Sequence, residues 1–435
     1  YLWNPPYRRV DESGADRSSR RRSGCDQRFC GRDRSTLRER PGLKDFRITA
    51  DFVAMGANRI DQQPDTNQRD QLAMTERLHN FSAGPCTLPL SVLEEGQAEF
   101  VDYHGAGMSL IEMSHRGKHF VAVYDEAVDL VRTVFGVPDE FDVLFLQGGA
   151  TLQFAMVPMN LLMSGQKAGY INSGTWAKGA IADAKHYGDV YTAWDGADCN
   201  YSRMPSTDEI EIQSDTRYLH LTSNETIGGI RFSDWPQVDV PLVGDMSSDY
   251  MSRPVPWERF DLVYGGAQKN LGPAGMALVI IRKSVARENN QEIGRYLRYD
   301  IQADKGSMFN TPPVFPIYML GKVLKWMRDQ GGVTAMEHQA DEKAGRLYGA
   351  IDQSDGYYRC PVDAGSRSVM NVVFRLPTEE LEKVFLSGAD AAGLLNLKGH
   401  RSVGGIRASI YNAMPLGGVD ALTAFMSEFQ SAHPA

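Results

Sequence analysis

Residues 262–271, with the sequence LVYGGAQKNL, constrain the fold more than any other stretch of the chain. Leu262 to Tyr264 is a short apolar run that predicts a buried strand. The two glycines that follow it allow the backbone to turn tightly. Lys269 comes directly after this turn, although lysines ordinarily lie on solvated surfaces. At the end of a parallel strand it would lie where open α/β sheets bind ligands, and burial would lower its pKa so that it can attack a carbonyl.

Short apolar runs alternate with helical patterns along most of the chain, which predicts an α/β fold with a mostly parallel sheet. The predicted strands of this sheet are Val143–Leu146, Ala168–Asn172, Tyr218–Thr222, Leu242–Asp245, Leu262–Tyr264 and Ala277–Arg282. The predicted helices are Leu90–Phe100, Phe120–Phe135, Thr151–Met163, one that begins near Thr175, Ile317–Asp329, Thr334–Ile351 and Val419–Ala432. The polar segment 195–217 is predicted to be a surface excursion. We expect a large domain over residues 75–330 and a smaller C-terminal α+β domain, with a strand at Met370–Leu376, over residues 331–435.

The composition is that of an ordinary globular chain, with 42% hydrophobic and 23% charged residues. A net charge of −9 gives no reason to expect binding to nucleic acid or to an anionic membrane. Five scattered cysteines argue against a disulfide scaffold or a zinc module and are compatible with a reducing cytosol. No apolar run approaches the roughly 20 residues of a membrane-spanning helix.

The first 73 residues differ from the rest, since they hold 15 Lys and Arg against 11 Asp and Glu. Their arginine- and serine-rich runs have no helical or strand periodicity, which predicts disorder over residues 1–74. Three interpretations are open: a basic arm that binds nucleic acid, a transit peptide, or an upstream extension of a protein that starts near Met74. We favour the extension, because acidic residues interleave the arginines.

A second glycine turn lies in LFLQGGATLQF, between a predicted strand and a predicted helix. Free N–H groups and the helix dipole at such a turn favour an anion. The turn matches neither the P-loop pattern nor G-x-G-x-x-G, so dinucleotide binding is disfavoured. The competing interpretation is a tight connection with no ligand.

Polar or aromatic residues follow three more of the predicted strands. Asp245 ends the strand in VPLVGD, Trp176 lies in INSGTWAKG, and Thr226 lies in LTSNETIGG. Taken singly, these residues could be a helix cap, core packing and a loop hydroxyl. Together with Lys269 at the same sheet edge, they match an acid for a pyridine nitrogen, a plate for a planar ring and a hydrogen-bond donor. We therefore hypothesise that Lys269 holds pyridoxal 5′-phosphate (PLP) as a Schiff base.

Several arginines lie among glycines rather than on a polar helix face. Arg116 lies in SHRGK, and Arg401 and Arg407 lie in KGHRSVGGIRAS beside His400. An arginine fork binds a carboxylate or a phosphate through two parallel hydrogen bonds. These residues predict a substrate with several negative charges, and surface salt bridges are the alternative.

From about His79 to the C-terminus the chain closely resembles the phosphoserine aminotransferase family, which consists of class-V, PLP-dependent enzymes of fold type I. The motifs that carry the resemblance are FSAGPCTLP, EMSHRGKHF, GGATLQFAMVPMNLL, SNETIGGI, GAQKNLGPAG, GSMFNTPP and KGHRSVGGIRASIYNAMP. It implies a large domain with a mostly parallel seven-stranded sheet, a smaller C-terminal domain, a cytoplasmic location and a homodimer with shared active sites.

The resemblance also implies roles for individual residues. Lys269 would be the Schiff-base lysine, Asp245 the partner of the pyridinium nitrogen and Trp176 the stacking residue. The implied cofactor contacts are Ala150, Thr151, Thr226 and Gln268, with Asn310 and Thr311 reaching the neighbouring subunit's cofactor; the implied substrate contacts are Arg116 and Arg407 for carboxylates and His115, His400 and Arg401 for a phosphate group. Some members carry Gly-Arg in place of Ala150–Thr151, so backbone N–H groups would hold the cofactor phosphate here.

The implied reaction is the reversible transfer of an amino group from L-glutamate to 3-phosphohydroxypyruvate, which gives O-phospho-L-serine and 2-oxoglutarate. Some members also transaminate a phosphorylated hydroxythreonine precursor in pyridoxine synthesis, and the sequence leaves this role open. A cysteine desulfurase would need a reactive cysteine in a loop facing the cofactor, and the segment 398–407 has none. A catalytically silent homologue would be expected to have lost Lys269 or Asp245, and both are present.

Overall fold

The structure of the chain is a computed structural model, and it describes residues 77–288 and 292–434. The predicted N-terminal extension, residues 1–74, lies outside this range. The described helices are α1 (Leu90–Glu99), α2 (Lys118–Phe135), α3 (Gly149–Leu161), α4 (Thr175–Ala184), α5 (Lys283–Arg287), α6 (Tyr299–Asp304), α7 (Val314–Asp329), α8 (Gly332–Asp352), α9 (Glu379–Ala391) and α10 (Leu416–Ala432). Within the described range, no helix is both long enough and apolar enough to cross a lipid bilayer.

The strands are β1 (His79–Asn80), β2 (Phe141–Gln147), β3 (Lys167–Asn172), β4 (Asp189–Asp195), β5 (Thr216–Thr222), β6 (Asn224–Glu225), β7 (Ile230–Arg231), β8 (Leu242–Asp245), β9 (Phe260–Gly266), β10 (Met276–Arg282), β11 (Asn371–Phe374), β12 (Leu394–Leu395) and β13 (Ile406–Ser409). Seven of them form the central sheet in the order β2-β10-β9-β8-β5-β3-β4. Strand β10 runs antiparallel to both of its neighbours, and the other neighbouring pairs are parallel. The predicted α/β fold with a mostly parallel seven-stranded sheet is confirmed.

Both faces of this sheet are covered, which explains why its inner strands read as continuous apolar runs. In β10, Leu278 and Ile280 pack into a core with α2 and α7. The alternate residues Val279 and Ile281 pack into a second core with α3 and α4 on the opposite face. The sheet is therefore the middle layer of three, and its parallel strands end at one edge between the helices.

The C-terminal part of the chain has a core of its own. Helices α8, α9 and α10 pack around the antiparallel pair β11–β13. Phe81, near the start of the described chain, is fully buried in the same core. Strand β1 also pairs with β12 in parallel, so the first described segment joins the C-terminal elements. The domain boundary near residue 330 stays a prediction.

Candidate active site

A cavity of about 530 Å³ opens where the parallel strands of the sheet end. Its walls come from the glycine turn after β2, the start of α4, the exits of β5, β8 and β9, and the segment that leads into β13. Its lining residues include Gly148, Gly149, Ala150, Thr151, Trp176, Thr222, Thr226, Asp245, Gln268, Lys269, His400 and Arg407. A cavity of about 680 Å³ lies elsewhere, against Arg77, His79 and Lys343, and contains none of the predicted site residues. The strand-exit cavity is therefore the candidate active site.

Lys269 lines this cavity and is only 8% exposed. Its Nζ donates a hydrogen bond to Thr226 Oγ1 at 2.6 Å and lies 5.6 Å from the centre of the Trp176 ring. Burial lowers the pKa of Lys269 to about 8, although the nearby carboxylates of Asp245 and Glu225 act in the opposite direction. A substantial fraction of the amine is therefore neutral slightly above pH 7, as a nucleophile or a proton carrier requires.

Asp245 is the last residue of β8 and is buried. Its Oδ1 accepts hydrogen bonds from the Ser247 backbone N–H at 3.0 Å and the Ser247 hydroxyl at 2.6 Å. Burial raises the pKa of Asp245, with the Ser247 bonds and Lys269 opposing the shift. Within the described chain no hydrogen bond reaches Oδ2, and the buried hydroxyl of Thr222, its partner in the β5–β8 register, also lacks one. These unsatisfied groups fit a polar ring edge such as a pyridinium.

The glycine turn after β2 also lines the cavity. Gly148 and Gly149 have positive φ angles of 90° and 61°, and α3 begins at Gly149. A Cβ on Gly148 would lie 2.6 Å from a methyl carbon of Leu152, so a side chain there would clash. The first-turn N–H groups of Ala150 and Thr151 have no acceptor within the helix, which makes this end suited to a phosphate.

Arg407 and His400 also line the cavity. Arg407 lies in β13, is half-buried, and donates from Nη1 to the Thr226 carbonyl oxygen at 3.4 Å. Burial lowers the pKa of its guanidinium, which still leaves it cationic at neutral pH. The loop that carries His400 is tied to the C-terminal core by Arg375, whose Nη1 donates to the Val403 carbonyl oxygen at 2.7 Å. No carboxylate of residues 77–288 or 292–434 pairs with Arg407, and a cation in this situation suits an anionic substrate.

Five predicted residues do not line this cavity: His115, Arg116, Asn310, Thr311 and Arg401. The Asn310 amide and the Thr311 carbonyl contact the side chain of Gln147 at 3.4 and 3.0 Å. Arg116 and Arg401 are exposed, and the buried Nε2 of His115 has no hydrogen-bond partner within the described chain. The structure therefore brings the other predicted site residues together in one cavity, and the roles of all of them stay predictions.

Sequence reasoning missed two buried residues that contact the predicted site residues. Glu225 is 1% exposed, and burial raises the pKa of its carboxyl to about 7. Cys86 lies against the lysine segment and donates from Sγ to the Lys269 carbonyl oxygen. Burial raises the pKa of this thiol to about 12, so it stays protonated. Both residues lie in the motifs SNETIGGI and FSAGPCTLP, but their contacts cross long stretches of chain and leave no local pattern.

Known proteins match the chain over nearly all of its described length. The aminotransferase class-V family model matches residues 78–422. A phosphoserine aminotransferase from Laribacter hongkongensis (strain HLHK9) is 53% identical over 356 residues, which cover 82% of this chain and 99% of that protein. The solved phosphoserine aminotransferase from Bacillus circulans subsp. alkalophilus superimposes with a TM-score of 0.81 at 50% identity and covers 82% of this chain and 99% of its own. A solved structure described as radiation damage of the Schiff base in phosphoserine aminotransferase has a TM-score of 0.81 at 42% identity, and the match covers 82% of this chain and 99% of that one.

The three-layer fold and the buried lysine at the strand exits define a PLP-dependent transaminase of fold type I, and the chain belongs to the aminotransferase class-V family. Its cofactor is PLP. Within the family it groups with the phosphoserine aminotransferases, two of which are 53% and 50% identical to it over 99% and 100% of their own length.

Proposed function

We propose that this chain transfers an amino group reversibly from L-glutamate to 3-phosphohydroxypyruvate, which gives O-phospho-L-serine and 2-oxoglutarate. The observation that carries the proposal is the convergence of Lys269, Asp245, Trp176 and Arg407 on one cavity. The phosphoserine aminotransferases that match the chain over their full length support the choice of substrates. We also propose the cytoplasmic location that the resemblance implies.

The residues of the cavity fit PLP. Lys269 Nζ would bind the aldehyde carbon, Asp245 would hold the ring nitrogen in its protonated form, and the N–H groups of Ala150 and Thr151 would bind the phosphate. Trp176 would stack on one face of the ring, with Thr226 and Gln268 at its polar edge. The cofactor supplies an electron sink that stabilises negative charge developing on the substrate Cα.

The remaining groups bind substrate and move its proton. Arg407 would bind the α-carboxylate that both substrates share. Lys269 Nζ would take the proton from the substrate Cα in one half-reaction and deliver a proton to Cα in the other. Its pKa of about 8 lies near neutral pH, which suits both transfers. His400 would contact the phosphate group, together with Arg401 and His115, and Arg116 would join Arg407 in binding the substrate carboxylates.

A coupled assay of the purified protein tests the proposed reaction. Glutamate and 3-phosphohydroxypyruvate should be consumed together with ping-pong kinetics, while the cofactor is followed by its absorbance. The same assay with the phosphohydroxythreonine pair measures the role in pyridoxine synthesis that the resemblance implies. Turnover of glutamate with another 2-oxo acid, and none with 3-phosphohydroxypyruvate, would overturn the substrate assignment.

Arg407→Ala should raise KM for both glutamate and 3-phosphohydroxypyruvate. Charge-assisted hydrogen bonds contribute about 1.5–3 kcal/mol, so the expected rise is about 10- to 150-fold. Arg407→Lys should have KM values between those of the wild type and Arg407→Ala, because lysine keeps the positive charge but cannot form the two parallel hydrogen bonds. Arg346→Ala is the matched control, since Arg346 is half-exposed and pairs with Asp420 and Glu342 outside the cavity. An unchanged KM in Arg407→Ala would remove this residue from the substrate site.

We also propose a homodimer in which Arg116, Asn310 and Thr311 serve the neighbouring active site, because none of the three lines the cavity of its own chain. Lys269→Ala and Arg116→Ala homodimers should each be impaired. Mixing the two proteins should restore about a quarter of wild-type activity, because half of the dimers are mixed and one site in each is intact. No gain on mixing, in protein shown to exchange subunits, would place Arg116 in its own site or in none.

A further inference from the structure

The carboxylate of Glu225 joins two strand exits that the chain separates by about fifty residues. Glu225 ends β6, directly after β5, and its side chain is buried beneath the first turn of α4. Its Oε2 accepts from the Trp176 backbone N–H at 3.2 Å, and its Oε1 accepts from the Ala177 N–H at 3.0 Å. The Ser173 hydroxyl adds a longer bond to Oε1 at 3.4 Å. A carboxylate from another strand thus caps the helix that begins at the cavity.

This cap replaces a local one. The N-cap residue of α4 is Gly174, which has no side chain to accept the first-turn N–H groups. A Cβ on Gly174 would lie 2.8 Å from the carboxyl carbon of Glu225, so the close approach of the carboxylate requires glycine at this position. The backbone of Trp176 is therefore held by β6 rather than by its own helix start.

The indole of Trp176 depends on that backbone position. Its side chain is 36% exposed, so surrounding atoms confine the ring only in part. Residue 226, next to Glu225, accepts the hydrogen bond from Lys269 Nζ. Glu225 and Thr226 thus contact the two groups that the cofactor would meet, the backbone of Trp176 and Lys269 Nζ. Nζ lies 5.6 Å from the centre of the indole.

We propose that Glu225 is a positioning residue that holds the indole of Trp176 at stacking distance from the PLP ring. The inference rests on the proposed placement of that ring against Trp176. Glu225 does not touch the reacting atoms in this arrangement; it acts through the first turn of α4. Its buried carboxyl also lies near the charges of Asp245 and Lys269, which gives a second route by which it could affect the cofactor. The experiment separates the two routes.

A double-mutant cycle on cofactor binding tests the proposal. The apoproteins of the wild type, Glu225→Ala, Glu225→Gln, Trp176→Ala and Glu225→Ala/Trp176→Ala are titrated with PLP, and binding is followed by absorbance and by the circular dichroism of the bound cofactor. Glu225→Ala should weaken PLP binding about 10-fold, the size of a lost stacking contact, and reduce the circular dichroism. Glu225→Gln keeps one acceptor oxygen and should weaken PLP binding less than Glu225→Ala does. In the Trp176→Ala background, adding Glu225→Ala should weaken PLP binding by less than about 2-fold, because the indole that Glu225 positions is already absent.

Thr378→Ala is the structural control. The Thr378 side chain caps α9 by accepting from the Leu381 N–H at 3.2 Å, away from the cavity. Thr378→Ala should lower the melting temperature about as much as Glu225→Ala does, since each removes a helix cap. It should leave PLP binding and the circular dichroism of the bound cofactor unchanged. If Glu225→Ala does not fold, Glu225→Gln alone and in the Trp176→Ala background provides the cycle.

The results distinguish failure of the proposed stacking of Trp176 on PLP from failure of the positioning role of Glu225. Wild-type PLP binding by Trp176→Ala would contradict the proposed stacking itself. Weakened binding by Trp176→Ala together with fully additive losses in the double variant would show that Glu225 acts by charge or by general stability, which overturns its positioning role. Wild-type binding and circular dichroism in both Glu225 variants would overturn it as well.

Discussion

Lys269→Ala should abolish transamination and remove the visible absorption band of the lysine-bound cofactor. The substitution deletes both the covalent attachment point and the group that moves the Cα proton, so we expect a loss of kcat of at least about 10³-fold. The spectrum of the purified protein after addition of PLP, compared with that of the wild type, reports the first loss. Steady-state turnover reports the second.

A second buried lysine provides the matched control. Lys343 is 2% exposed, and burial lowers its pKa to about 7. Its Nζ, however, donates to the carbonyl oxygens of Tyr411, Asn412 and Met414 at 2.6, 3.4 and 3.3 Å, so it is occupied as a structural donor. Lys343→Met should keep the band and the activity per folded molecule. Retention of the band in Lys269→Ala would place the attachment point at another lysine.

The pKa of Lys269 also predicts a pH dependence for cofactor uptake. Only the neutral amine attacks an aldehyde, and burial lowers the pKa of this amine from 10.5 to about 8. Uptake of PLP by the apoprotein should therefore accelerate roughly tenfold per pH unit below about pH 8 and level off above it. Asp245 and Glu225, which face the amine, hold its pKa above the value that burial alone would give. An uptake rate that still rises tenfold per pH unit beyond pH 9 would indicate an ordinary exposed lysine.

The inner strands of the sheet could be predicted from the sequence because each is buried on both faces. Strand β9 is buried throughout, and its apolar run and glycine turn are visible locally. Strand β4, at the sheet edge, has only Ala193 buried and was not predicted as a strand. The helix α9 was also missed, although Thr378 and an acidic first turn mark its start. The half-exposed strand β4 and the pairing of β1 with β12 depend on contacts between distant segments, which local periodicity does not record.

The residues of the candidate site also divide into those that local sequence predicts and those that depend on distant contacts. The strand-exit residues Trp176, Asp245 and Lys269 were predicted because parallel strands deliver their ends to one edge. Glu225 was not predicted, because its role depends on its hydrogen bonds to the first turn of α4. The sequence of its own short strand gives no sign of those bonds. Cys86 required a contact across 183 positions. Residues that position others are therefore the part of the site that only the folded chain reveals.

Asp245→Asn should lower kcat strongly while PLP still binds. Asparagine has nearly the same shape and can keep the two hydrogen bonds from Ser247 to Oδ1. It cannot carry the negative charge that would keep the pyridine nitrogen protonated, so it would lose the stabilisation of charge as it develops on the substrate. A preorganised charge in a dry site is typically worth about 10²- to 10³-fold in kcat, and we expect a loss of that size with little change in KM.

A neighbouring buried carboxylate distinguishes this effect from loss of a buried charge in general. Asp249 is 3% exposed, accepts from the Ser223 hydroxyl, and pairs with Arg253 at 3.3 Å. Because its partners are protein groups, Asp249→Asn should lower thermal stability and leave kcat per folded molecule near that of the wild type. Asp245→Asn should show the reverse, since Oδ2 of Asp245 has no hydrogen-bond partner within the described chain to lose. Equal effects on kcat in the two variants, or none in Asp245→Asn, would mean that Asp245 serves the fold rather than the cofactor ring.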